Sequence, residues 1–128
     1  MGASTAPLNP FETFLHLKKD GDVEVVPVTD DLWARLYQEP LDGRLSGAFR
    51  MQADTGWEVH PDGEEILYLA TGAIDLILER GDGERIELRA GQCCTVPRGV
   101  WHRQEVVEPA ELFFSTPGPR TEHRPLAG

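Results

Sequence analysis

The chain has 128 residues, enough for one domain whose core needs no disulfide support. Hydrophobic residues make up 40% and charged residues 27%, which excludes wholesale disorder. The net charge of −10, with no basic patch to offset it, excludes nucleic acid and anionic membrane surfaces as partners.

Residues 1–10 read as a flexible N-terminus without the charged and apolar regions of a signal peptide. Gly2 suggests myristoylation, but Ala6 stands where that signal wants Ser or Thr. Phe11, Thr13, Leu15 and Leu17 then alternate with Glu12, His16 and Lys18, and Asp20-Gly21-Asp22 turns the chain into a strand over 23–28. Thr29-Asp30-Asp31 offers an N-cap and an acidic first turn to a short helix over 32–38, stopped by Pro40. Trp33, Leu36 and Tyr37 share one face of it, with Trp33 as the packing anchor.

After Asp42-Gly43 the alternation returns through Leu45, Gly47, Phe49 and Met51. On a strand through Trp57 to His60, Glu58 and His60 share a face because the side-chain period is two. Trp57 and Val59 point the other way. Pro61-Asp62-Gly63 interrupts, and the next strand puts Glu65, Leu67 and Leu69 on one face. If that face is interior, Glu65 is a carboxylate among apolar side chains, a costly burial unless the charge is paired or coordinates a metal. Its pairing partner would be an arginine such as Arg98 or Arg103.

Ile74, Leu76 and Leu78 lead to Gly81-Asp82-Gly83, a hairpin turn, and then to Ile86 and Leu88. Cys93 and Cys94 are adjacent, lack metal spacing and read as free thiols in a reducing, cytoplasmic compartment. Gly91 leads into a strand that Pro97-Arg98-Gly99 ends, and His102 begins another with Gln104 and Val106 on the same face. Trp101, like Trp57, points away from the histidines. Leu112 and Phe114 close the series before Thr116-Pro117-Gly118-Pro119. His16 and His123 belong to no motif and are expected to be exposed, and the last eight or so residues to fray.

Many short strands with Gly and Pro punctuation and almost no helix describe an all-β fold, a sandwich or jelly-roll barrel. The barrel domain is expected over 11–118, followed by a C-terminal tail over 119–128. Two imidazoles, His60 and His102, with one or two carboxylates, Glu65 and Glu58, make a mixed nitrogen and oxygen set. That set suits a divalent Fe, Mn, Ni or Zn ion and would be poor for a soft Cu(I) site.

The two segments resemble the paired motifs of the cupin superfamily. The first motif is usually written G-x5-H-x-H-x3,4-E-x6-G. Here Gln52 stands at the leading glycine and Glu58 at the first histidine, while His60, Glu65 and Gly72 match. The second, G-x5-P-x-G-x2-H-x3-N, is matched by Gly91, Pro97, Gly99 and His102, with Val106 in place of Asn. The resemblance implies a double-stranded β-helix with a metal held inside, by three His and one Glu in the usual pattern. In this chain the implied ligand set is Glu58, His60, Glu65 and His102, more anionic and harder than usual, with Glu58 as fourth ligand or general base.

The implied function is action on a small organic molecule, of oxygenase, isomerase or lyase type, in a pocket lined by Leu67, Leu69, Ile74 and Leu76. The alternative is a non-catalytic, ligand-binding or sensory barrel. Single-domain cupins resemble one another in dimerising through an N-terminal strand, and the apolar stretch over 11–17 leaves an edge of that kind, so a homodimer is expected.

Overall fold

Period-two alternation becomes antiparallel strand wherever it occurs. The computed structural model describes residues 6–126. In chain order they form β1 (Thr13–Leu17), β2 (Val23–Pro27), α1 (Leu32–Gln38), β3 (Arg44–Met51), β4 (Trp57–Val59), β5 (Glu65–Leu78), β6 (Glu84–Arg89), β7 (Cys93–Val96), β8 (His102–Pro117) and β9 (Glu122–Arg124). This is the expected all-β jelly roll with one short helix.

The spine is β8. Its C-terminal half pairs with β3 and its first residue with β4, while β5 runs along it nearly end to end. The β5–β8 ladder carries register shifts between Leu69 and Ile74, and there the ribbon bends. The bend is what closes the barrel. His102 lies opposite Leu78, thirteen residues along β5 from Glu65, which on a straight strand is ~43 Å. Yet the His102 and Glu65 side chains meet at 3.3 Å.

Gly72 sits at this bend with φ +83°, and a Cβ there would stand 2.2 Å from the carbonyl oxygen of Pro109 on β8. Neither the left-handed backbone nor the close approach tolerates a side chain. Gly72→Ala is expected to cost about 2 kcal/mol or more, which a denaturant midpoint measures.

Inward-facing Leu67, Leu69, Ile74, Leu76, Leu78, Val96 and Leu112 are almost fully buried and form one core with Phe14 and Leu32. Helix α1 enters that core through Leu32, not Trp33, which is 50% exposed. Seven residues make two turns, and the helix leans across one end of the barrel, so Trp33 and Tyr37 border an opening. Asp31 is the N-cap residue but makes no capping hydrogen bond, because its carboxylate takes the Thr29 hydroxyl and pairs with Arg35.

Other expectations change as well. Strand β1 has partners on both sides, β2 and β3, so the open edge lies at β2 and not at 11–17. The same two neighbours cover His16, which is buried, with Nε2 at 2.7 Å from the Asp42 carbonyl. Of the stretch expected to be flexible at the start, residues 1–5 lie outside the described residues, and Pro10 already accepts a hydrogen bond from the Ala48 N–H. At the other end, 122–124 do not fray: they pair with β4 as β9, opposite Trp57, Glu58 and Val59. Residues 127 and 128 lie outside the described residues. No described helix is long and apolar enough to cross a membrane.

Candidate metal centre

Three strands deliver the four side chains. Glu58 on β4 lies directly opposite His102, the first residue of β8. His60 follows β4 by one residue, and parity puts it on the same face as Glu58. The turn at Pro97–Gly99 holds it there, since the Gly99 N–H donates to the His60 carbonyl at 3.1 Å. Glu65 opens β5 and reaches the group only because the ribbon bends.

The donor atoms of Glu58, His60, Glu65 and His102 all lie within 4.8 Å of one another, a group that could hold a metal ion. His60 Nε2 stands 3.2 Å from Glu58 Oε1 and 3.3 Å from Glu65 Oε2, and His102 Nε2 stands 3.3 Å from Glu65 Oε1 and 3.9 Å from Glu58 Oε1. Ligands about 2.0–2.2 Å from a common ion stand roughly 3.0–3.6 Å apart, so three of these spacings fit and the His102–Glu58 one is longer.

The residues also fit the ion in a second way. Among the described residues, His60 Nε2, His102 Nε2 and Glu65 Oε1 are buried without a hydrogen-bond partner. The three atoms converge on one shared space. Such orphaned atoms are expensive in a protein interior unless something unites them.

The outer nitrogens are tied down. His102 Nδ1 lies 3.2 Å from the Val100 carbonyl, and His60 Nδ1 lies 2.9 Å from Thr121 Oγ1, whose hydroxyl donates to the Pro117 carbonyl at 3.3 Å. A proton on each Nδ1 leaves each Nε2 free to coordinate. Glu65 Oε2 accepts the Thr116 hydroxyl, and Glu58 Oε2 accepts from His123 Nε2 at 3.1 Å. The His123 ring stacks on Tyr37. Among the described residues Glu65 pairs with His60 and His102 and with no arginine. Trp57 and Trp101 face outward, where Arg124 covers both rings.

Charge within the group is strongly coupled. Burial disfavours an ionised His60, but pairing with Glu58 and Glu65 more than offsets it and raises the ring to about 9. Burial likewise works against an ionised Glu65, and contacts with His102 and His60 hold it below the usual carboxylate range. Glu58 is burdened by burial and held far below that range by His123 and His60.

A pH dependence follows. A cation that takes His60 Nε2 must displace its proton, so apparent affinity is expected to rise about tenfold per pH unit up to about pH 9, then level off. Without metal the trend is opposite. The His60 ion pairs stabilise the fold fully below its unfolded value of 6.5, and that contribution is lost as pH rises through about 9. Metal titrations and chelator-treated melts at pH 6 to 9 read the two trends.

A cavity of about 940 Å3 opens above the four residues and is walled by α1, β3 and the inner face of β8. Leu67 lines it, as expected from the sequence, but Leu69, Ile74 and Leu76 lie in the sealed core beyond.

The cupin domain profile matches residues 48–116, more than half of the chain and both motif segments. This chain is a cupin. Comparison with curated proteins gives no match. Among solved structures, this cupin is similar to a cupin-2 domain containing protein from Shewanella frigidimarina, at 20% identity and TM-score 0.52 over 59% of this chain and 71% of that one. It is also similar to hydroquinone 1,2-dioxygenase from Sphingomonas sp. TTNP3, at 19% identity and TM-score 0.52 over 59% of each chain. Oxalate decarboxylase of Bacillus subtilis, a Mn(II) protein, is similar at 17% identity and TM-score 0.55 over 67% of this chain and 24% of that one. Identities this low establish a shared fold and leave chemistry to the site itself.

Thr116, Thr121 and His123 carry no motif, and sequence reasoning missed all three. The only signal for them was their number: two hydroxyls and an imidazole in a segment otherwise made of Pro, Gly and charged residues.

Proposed function

We propose that Glu58, His60, Glu65 and His102 hold one divalent transition metal of the Fe, Mn, Zn or Ni type, and that this cupin acts on a small organic molecule bound in the cavity above it. The observation that carries this reading is the convergence of three buried, unpartnered donor atoms at the floor of a cavity large enough for a ligand. When bound, such an ion supplies Lewis acidity toward a ligand oxygen, or one-electron chemistry if it is redox-active.

The side chains have separable tasks. His60 and His102 offer Nε2, fixed by their outer hydrogen bonds, and Glu65 offers a carboxylate held by Thr116. Glu58 has two candidate roles, fourth ligand and general base. Its acidity supports the first, because a carboxylate held this far below its usual range takes a proton poorly. The apolar walls exclude water from the ligand's body and leave its polar end to face the four residues.

Oxygenase, isomerase and lyase chemistry all suit this arrangement. The test is turnover by metal-loaded protein across a panel of small molecules, read as product formation and O2 uptake, abolished by chelator and restored by metal. Tight binding of a panel member with no conversion under any metal would instead support the non-catalytic, sensory reading.

A further inference from the structure

The walls of the cavity differ in chemistry from its floor, and one wall residue has no structural explanation. Gln104 lies on β8 two residues beyond His102, so its side chain shares the inward face. It is only 9% exposed and lines the cavity. Its backbone N–H and carbonyl are taken up by Thr55, but its side-chain amide has no hydrogen bond among the described residues. The amide is not sealed off as the unpartnered atoms of the floor are, so its donor and acceptor are both open to a ligand in the cavity it lines.

Opposite the floor, the wall is aromatic. Phe49 and Phe114 stack at 4.7 Å, and Trp33 continues the surface 5.8 Å from Phe49. Trp33 and Tyr37 are exposed at the mouth although they belong to the same helix that buries Leu32. Exposed rings of this kind have apolar faces to offer a flat, apolar partner.

Among the described lining residues no lysine or arginine is free to meet a negatively charged ligand, and the imidazoles of His60 and His123 are already paired with Glu58. Arg50 is its one lysine or arginine among the described lining residues, and its guanidinium lies 4.0 Å over Phe11 and 3.5 Å from Glu111. Neither of those residues lines the cavity, so the charged head is turned outward. On the floor, two carboxylates cancel the charge of a divalent ion. A dianion such as oxalate would therefore find little net attraction and leave most of about 940 Å3 unfilled.

We infer that the cavity takes a neutral, mainly apolar molecule of aromatic-ring size, stacked on the Trp33–Phe49–Phe114 wall, whose hydroxyl or carbonyl hydrogen-bonds the Gln104 amide. This deepens the proposed function and rests on its placing of the ligand in this cavity, but not on the metal.

Calorimetric titrations with 4-ethylphenol, ethylbenzene and oxalate test it, on metal-loaded and on chelator-treated protein. The phenol is expected to bind most tightly. Gln104→Leu is expected to weaken the phenol about tenfold while ethylbenzene stays within about twofold. Trp33→Ala, at an exposed position that leaves the core intact, is expected to weaken both rings severalfold. Gln104→Met gives a second reading if the leucine variant folds poorly. Oxalate binding more tightly than the phenol would overturn the inference, as would a phenol affinity unchanged in the Gln104 variants. Ring binding by protein that never takes up metal would remove the metal reading and leave this one standing. One metal per chain with no ring binding would do the reverse.

Discussion

Purified wild-type protein is expected to carry close to one first-row transition metal per chain, and His102→Ala to lose it while the barrel stays folded. His102 supplies one of three buried donor atoms that nothing else satisfies. Removing its ring takes away a ligand and the partner that helps hold Glu65 ionised. The affinity loss should reach about a thousandfold or more, beyond the roughly 10–100-fold expected when only an outer hydrogen bond is cut. Thr121→Val supplies that comparison: it removes the oxygen facing His60 Nδ1 and leaves all four donors in place. Elemental analysis with circular dichroism decides the matter. A wild-type protein that stays metal-free after reconstitution would refute the site, and equal losses in both variants would refute the division between ligand and support.

Metal is also expected to stabilise the fold substantially. Binding only to the folded state at about a thousand times the dissociation constant contributes about 4 kcal/mol. For a chain of 128 residues that corresponds to a rise in Tm of about 15 °C. The physical source is the relief of the unpartnered atoms together with the neutralising of two neighbouring carboxylates. Glu65→Gln keeps the shape but removes the charge, and its Tm should respond to metal by only a small fraction of that amount. A melt indifferent to chelator and metal in the wild type would count against a resident ion.

How far the site could be read before folding is best seen in its individual residues. His60 and His102 were legible because each falls at a matched position of one of the two motifs, with His60 five residues before Glu65 and His102 three after Gly99. Glu58 followed from strand parity with His60, and the 3.2 Å approach of His60 Nε2 to Glu58 Oε1 shows the two on one face. Glu65 needed the interval to Gly72, since parity cannot be carried through the intervening turn. Trp33 was misread because helical spacing shows which residues share a face but not which way the helix leans. The pocket lining was misplaced for a similar reason. Leu67, Leu69, Ile74 and Leu76 are all inward-facing, and alternation cannot tell a sealed interior from an open one.

By itself, then, the sequence determined the all-β class, the helix at 32–38 and the hairpin at Gly81–Gly83, because each is written in local periodicity and turn chemistry, and its likeness to the two cupin motifs pointed to the four residues of the candidate centre. The tertiary structure alone decided that these residues meet. Glu65 and the partner of His102 stand at opposite ends of β5, and the bend at Gly72 brings them together. It also decided that β9 returns to β4 and presents Thr121 to His60 and His123 to Glu58. Contacts between residues some sixty positions apart leave no periodic trace in the chain, because they arise from sheet closure and not from any local preference of the residues involved.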